Sequence, residues 1–383
     1  MALLMKHQTY LTAQMTTNKL FMVFLLIFSL NACQVNKYIP EGKKLYSGAQ
    51  IRVKSNKKTH QSDKNDLAYK LEETIYPQPN SQFLGLQLGL WAYYKIQRGD
   101  SGRVVQAIYK KYGEKPVYLS DVNPDKTIDI ILNRCENSGF FSSTASYKIK
   151  SHKNTASIIY SINTTKPYLL SEYHYFRDSL PIDVQIKKEV DKAEFEKEER
   201  FDLELLTMER ERIDHQLKNA GYYNFNPEYL IFTTDTHQYD TRKFDLYVDV
   251  KQEIPLTAQI PYRIRHVYVY PNHNESINSN KPIDTILIDG VHFLHDSLVF
   301  KPHLLRDYLT FTPGDMYSND RRRQTIKRLS ALEIYEFVNI SYQVIDSLGD
   351  KQMGHLDAYI RLSRRKTLSF RQEIKGCWTI RAR

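Results

Sequence analysis

"GDMYSNDRRRQTIKRLSALEIYEFVNISYQV", Gly314 to Val344, decides the fold. Its polar Ser318-Asn319-Asp320 cluster suits a helix start. A helical stretch follows, then a strand that alternates polar and apolar residues. "HLDAYIRLSRRK", from His355, supplies a second strand. Two earlier stretches share this grammar: "NPDKTIDIILNRCENSGFFSSTASYKI" from Asn123 and "FDLELLTMERERIDHQLKNAGYYNFNPEYLIF" from Phe201. The helical spacing shows in Ile213, Leu217 and Ala220. Gly139 and Gly221 stand where a left-handed helix exit favours glycine. The third stretch has Glu333 at that place, which predicts a different exit there.

Upstream of each stretch lie a strand pattern and an earlier helix pattern. The strands are "GAQIRVKS", "LSEYHYFR" and "IRHVYVYP"; the helices are "SDKNDLAYKLEETI", "DVQIKKEVDKAEF" and "KPHLLRDYLTF". The recurrence is about a hundred residues, too long for a solenoid period. The reading is an α+β chain of tandem β-α-α-β-β domains, at residues 48–170, 171–264 and 265–366. The first is enlarged by an insertion from about Tyr76 to Lys115, where "GLQLGLW" reads as a covering loop.

The chain has 383 residues with a formal net charge of +10. Scattered charge, as in "KKEVDKAEFEKEER", argues against nucleic acid as a partner. The run from Lys187 to Glu204 reads as one solvated helix face. Tyrosine, at 28 residues, follows strand alternation and helix ends, as core residues do.

Lys19 precedes an almost wholly apolar run from Leu20 to Leu30, too short to cross a bilayer. Leu30-Asn31-Ala32-Cys33 then resembles a lipobox. That implies a signal peptide over 1–32, cleavage between Ala32 and Cys33, and lipidation of the Cys33 thiol, with 33–47 as a lipid-anchored linker. The apolar run lies far from Met1, so Met15 is an alternative start. Of the other two cysteines, Cys135 falls in helical phase with Ile128, Ile131 and Leu132 and reads as core. Cys377 lies in the C-terminal tail. Three cysteines give no disulfide framework.

The repeats resemble POTRA domains, the periplasmic modules of the BamA/TamA superfamily. "TPGDMYS" followed by "RLSALEIYEFVNISY" is similar to that family's motif. With the lipobox, "YIPEGKKLY" and "PNSQFLGLQLGLWAYY", the chain resembles the TamL-like outer-membrane lipoproteins within it. The resemblance implies an outer-membrane location with domains facing the periplasm, unfolded outer-membrane proteins as clients, and a TamB-like inner-membrane partner. It also implies a barrel after the third domain. "KTLSFRQEI" begins such a strand, but 367–383 holds at most one strand and an aberrant tail. The expectation is therefore a chain truncated before its barrel.

No catalytic set, cofactor motif or metal site is expected. His292, His295 and His303 have spacing that invites zinc, but they read as histidines of a Tyr-rich loop. The expected chemistry is strand addition at open sheet edges. The candidate edges are Ala145 to Lys150, Pro227 to Thr233 and Val338 to Val344, represented by Ser146, Tyr229 and Ile340. The alternative is an envelope lipoprotein that captures a nutrient or glycan, which exposed clustered tyrosines favour.

The lipobox generates a direct expectation. Wild-type chain carries a palmitate analogue and fractionates with membranes, and Cys33→Ser loses both. Wild type without label, fractionating like the variant, contradicts lipidation.

Overall fold

The computed structural model describes residues 35–365, except 56–59, 84, 100–101, 197, 238, 240, 274–283, 296–300 and 347–351. Ala32, Cys33 and the tail after Arg365 lie outside the described residues. The chain forms two compact units. The first runs to Leu169 and takes in Glu199–Leu203 and Asp240–Lys243. The second holds Leu170–Glu198, Glu204–Tyr239 and the chain from Phe244 on.

The first unit begins with strand β1 (Leu45–Lys54) and helices α1 (Gln61–Glu72), α2 (Leu88–Gln97), α3 (Arg103–Tyr112) and α4 (Pro124–Asn137). Strands β2 (Thr144–Ser151) and β3 (Thr155–Asn163) complete it. The sheet order is β1-β3-β2. The last strand takes the middle, parallel to β1 and antiparallel to β2. Leu67 and Leu71 of α1, with Ile131 and Cys135 of α4, pack against Tyr46, Ile158, Tyr160 and Ile162. Burial pushes the Cys135 thiol up to about 11, so it stays protonated and inert at neutral pH. Asn123 caps α4 by accepting the Lys126 N–H at 3.1 Å. Gly139 closes it at φ +81°. "GLQLGLW" is not a covering loop: its second half opens α2.

Glu199–Leu203 is fastened to α1 by ions. Arg200 bonds Asp66 at 2.7 Å and Asp202 at 3.2 Å, and Lys70 donates to Asp202 at 2.7 Å. The run from Lys187 to Glu204 is therefore not one solvated helix. A buried Glu189 and a buried Asp202 lie within it, and its first helix stops early.

The second unit opens with β4 (Leu169–His174), α5 (Pro181–Val190), α6 (Leu203–Asn219), β5 (Leu230–Asp235) and β6 (Lys243–Val250). Their sheet order is β4-β6-β5, the same arrangement as in the first sheet. The core joins Ile182, Ile186, Ile213 and Leu217 to Leu230, Val248 and Val250. Short α7 (Leu256–Gln259) leads to β7 (Tyr262–Tyr270), β8 (Asp284–Ile288), β9 (Val291–His295), α8 (Pro302–Arg306), α9 (Asn319–Ser330), β10 (Tyr335–Asp346) and β11 (Gly354–Arg364). This sheet has five strands in the order β10-β11-β7-β9-β8. The β8–β9 hairpin is an addition to the expected β-α-α-β-β plan. Its turn, Asp289-Gly290, has φ +48° and +78°, the twist that antiparallel strands favour.

The two repeats of this unit are joined end to end. Asn219, last residue of α6, accepts the Asp320 backbone N–H at 2.9 Å and the Ser318 hydroxyl at 3.1 Å. One repeat thus helps cap the leading helix turn of the next. Gly221 accepts the Tyr262 N–H at 2.9 Å, and Tyr223 packs against Tyr262, Tyr317 and Tyr342.

Glu333 adopts φ +56°. The third helix exit is therefore left-handed like the other two, contrary to the sequence expectation. Glutamate occupies that conformation at a cost of about 1–2 kcal/mol.

The two exits predict opposite mutational signs. Gly221→Ala brings a Cβ to 2.7 Å from the Met316 methyl at φ +110°. It should destabilise the chain by about 1–3 kcal/mol. Glu333→Gly should be neutral or stabilising by up to about 1 kcal/mol. Denaturant melts read both; equal losses would mean the exits are not equivalent.

Candidate functional site

In each sheet the last strand lies inside, so the strand before it lies at an edge. Those edges are β2, β5 and β10. An edge strand points every second N–H and C=O pair away from its partner. Side chains decide how open that row is.

Ser146 lies within β2, opposite Ser161 of β3. Lys148 and Lys150 follow on the same strand, and the Lys44 ammonium bonds the Ser151 hydroxyl at its end. Lysines along an edge disfavour pairing with another strand. Tyr229 does not lie in a strand. It sits in the short 3-10 turn Pro227–Tyr229, and its carbonyl accepts the Lys251 N–H at 2.9 Å. The edge proper begins at Leu230 and lasts 6 residues.

Ile340 lies in β10, a strand of 12 residues that contains no lysine or arginine. Its side chain is 3% exposed, inside the third core with Leu329 and Ile360. Whatever Ile340 offers at the edge is main chain. Arg322 of α9 reaches that main chain: its Nε donates to the Ile340 carbonyl at 3.4 Å. That carbonyl therefore points away from β11. In an antiparallel pair the N–H and C=O of one residue share a direction. Val338 and Tyr342, two residues either side of Ile340, share it too. Phe337 on the opposite phase is 65% exposed beside this row. Sequence reasoning located the edge and missed the Arg322 cover. Nothing local to the sequence marks it, because it depends on where α9 passes over the edge.

The three histidines do not converge. His292 and His295 lie on β9, not in a loop, and His303 lies on α8. Among the described residues no group of three His, Cys, Asp or Glu side chains is placed to hold a metal. His292 instead stacks on Tyr268 at 5.1 Å, Tyr268 on Tyr359 at 5.2 Å, and Arg361 covers Tyr359 at 5.6 Å. This ladder crosses three strands. Its ring faces are turned to one another, and a sugar needs an open face. It therefore does not favour glycan capture.

Buried carboxylates are satisfied structurally. Glu209 takes Arg212 at 2.6 Å and the Tyr173 hydroxyl at 3.1 Å. Asp183 takes the Tyr175 hydroxyl at 2.6 Å and the Leu180 N–H at 3.0 Å. Burial first, then its bonded carboxylate, raises the pKa of Tyr175 and keeps it a donor.

No family model and no curated protein matches the sequence. Among solved structures, the chain is similar to Haemophilus influenzae BamA POTRA3-5, with 13% identity, a TM-score of 0.36, and 85% of this chain and 99% of that one covered. It is similar to POTRA1-3 of the periplasmic domain of Omp85 from Anabaena, with 12% identity, a TM-score of 0.27, and 85% and 98% covered. It is similar to the N-terminal domain of Omp85 from Thermosynechococcus elongatus, with 11% identity, a TM-score of 0.24, and 86% and 100% covered. At these TM-scores the likenesses add nothing to what the strand order already shows.

Removing the cover should open the edge. Arg322→Ala should tighten binding of a fluorescent ten-residue Val–Thr alternating peptide by roughly two- to ten-fold, the worth of one hydrogen bond. Anisotropy reads it. Unchanged or weaker binding means that Arg322 does not guard this edge.

Proposed function

We propose that this chain is the lipid-tethered periplasmic array of an outer-membrane protein assembly or translocation factor. Cys33 carries the lipid, and the domains at 48–170, 171–264 and 265–366 face the periplasm. Unfolded outer-membrane strands are the clients, held by main-chain hydrogen bonds at open sheet edges. A TamB-like protein at the inner membrane is the partner, and TamL-like lipoproteins are the group it belongs with. The role is capture and hand-over, without a catalytic step.

One observation carries this reading: β10 is a 12-residue edge without a basic residue, flanked by an exposed Phe337. Outer-membrane strands span about ten residues and alternate apolar with polar side chains. A strand of that length matches β10 along its whole paired stretch. Backbone pairing is indifferent to most side chains, which suits a factor that handles many clients. β2 carries lysines and β5 is short, so β10 ranks first among the three.

The test leaves the protein untouched. Ten-residue alternating peptides are N-methylated at every second residue, in one phase or the other. Only one face of an added strand bonds β10, so one phase should abolish binding and the other should leave it within a few-fold. Equal loss or no loss in both phases contradicts strand addition.

A further inference from the structure

We propose that the α2–α3 insertion is a lipid-contact surface that lies against an anionic bilayer. This deepens the anchored reading above, and its tether argument rests on Cys33 carrying lipid; its charge and exposure arguments do not.

The tether comes first. The short 3-10 turn Val35–Lys37 begins two residues after Cys33. Two residues span at most about 7 Å. Val35 is buried with Leu45, Leu90 and Tyr94, against Tyr38, Ile39 and Trp91. Tyr38 stacks on Tyr94 at 5.6 Å, and Arg98 covers Tyr38 at 4.4 Å. The chain from Val35 on is thus pinned to α2, and Cys33 stands two residues before it in sequence. A bilayer that holds the Cys33 lipid lies beside this insertion.

The surface fits that neighbour. α3 buries Val105, while Val104 is 70% exposed and Tyr112 55% exposed, with Tyr109 also exposed. At 100° per residue Tyr109 and Tyr112 lie on the same side as the buried Val105, toward the end of the helix, with Val104 about a quarter turn away, while the opposite side carries Arg103 and Lys110, and Lys111 stands next to Val104. A basic side with exposed aliphatic and aromatic residues beside it suits contact with an anionic membrane interface. Charge points the same way. From Leu88 to Lys115 the basic residues are Lys95, Arg98, Arg103, Lys110, Lys111 and Lys115, against Asp100 and Glu114: six minus two, or +4 in 28 residues, beside +10 in all 383. The hairpin is rigid enough to present this face. A Cβ on Gly89 would fall 1.9 Å from the Tyr112 carbonyl oxygen, so α2 and the end of α3 are in close contact.

The test uses the acyl-free chain Gln34–Arg383, which keeps every described element, with Trp378→Phe leaving Trp91 as the sole tryptophan. Vesicles are phosphatidylglycerol with phosphatidylcholine, or phosphatidylcholine alone. The chain should bind the anionic vesicles only, and brominated phosphatidylglycerol should quench Trp91. Lys110→Gln with Lys111→Gln should weaken binding about 25-fold, at roughly five-fold per basic residue near an anionic surface. Equal binding to both vesicles, no binding, or an unaffected double variant overturns the proposal. So does a dimer that the double variant breaks without vesicle binding, which would assign the face to a second copy. Palmitate labelling of the full chain tests the anchor separately. Unlabelled Cys33 with intact vesicle binding removes the anchor and leaves the surface; labelled Cys33 without vesicle binding does the reverse.

Discussion

The last strand of every repeat occupies the inside of its sheet. β3, β6 and β11 carry the most buried residues of their sheets, such as Ile158, Ile162, Val248 and Ile360. Apolar burial at about 25 cal/mol per Å² places them there. The preceding strand pairs antiparallel with the last one, and it has only the outer position left. An open edge is therefore a consequence of core formation, repeated at β2, β5 and β10. What differs between the three is the guard. Lysines stand on β2, β5 is short, and one arginine from α9 covers β10. The functional reading follows from that difference.

The junction inside the second unit bears on the same point. Asn219 caps the start of α9, and α9 carries Arg322. The tyrosine cluster of Tyr223, Tyr262, Tyr317 and Tyr342 packs the same seam. The helix that guards β10 is thus seated on the preceding repeat. A change at the seam is therefore expected to shift the guard and the availability of the Ile340 carbonyl.

Much of this was legible in the sequence because it depends on local chemistry. Asn123, Gly139 and Gly221 mark helix ends by side-chain capping and by left-handed backbone, and both are sequence-local. Strand alternation marked the edges. Glu333 misled, because a tertiary context can hold a non-glycine residue in the left-handed region. The β8–β9 hairpin was missed although Asp289-Gly290 is a strong turn signal between alternating runs; the histidines beside it read as part of a Tyr-rich loop instead. α2 was missed because Gly85 and Gly89 suggest a loop, whereas Gly89 is a close-approach position within a helix. Tyr229 was misplaced by one residue, within the usual error of element boundaries. The Arg322 cover was not legible, since it depends on where a helix passes over an edge.

The most direct test of strand capture is amide hydrogen exchange along β10 while an unfolded outer-membrane strand peptide is added. Backbone direction alternates, so Val338, Ile340 and Tyr342 should gain protection of ten-fold or more, while Asn339, Ser341 and the β11 amides, already paired, stay unchanged. Uniform protection along β10, or none, would contradict the account.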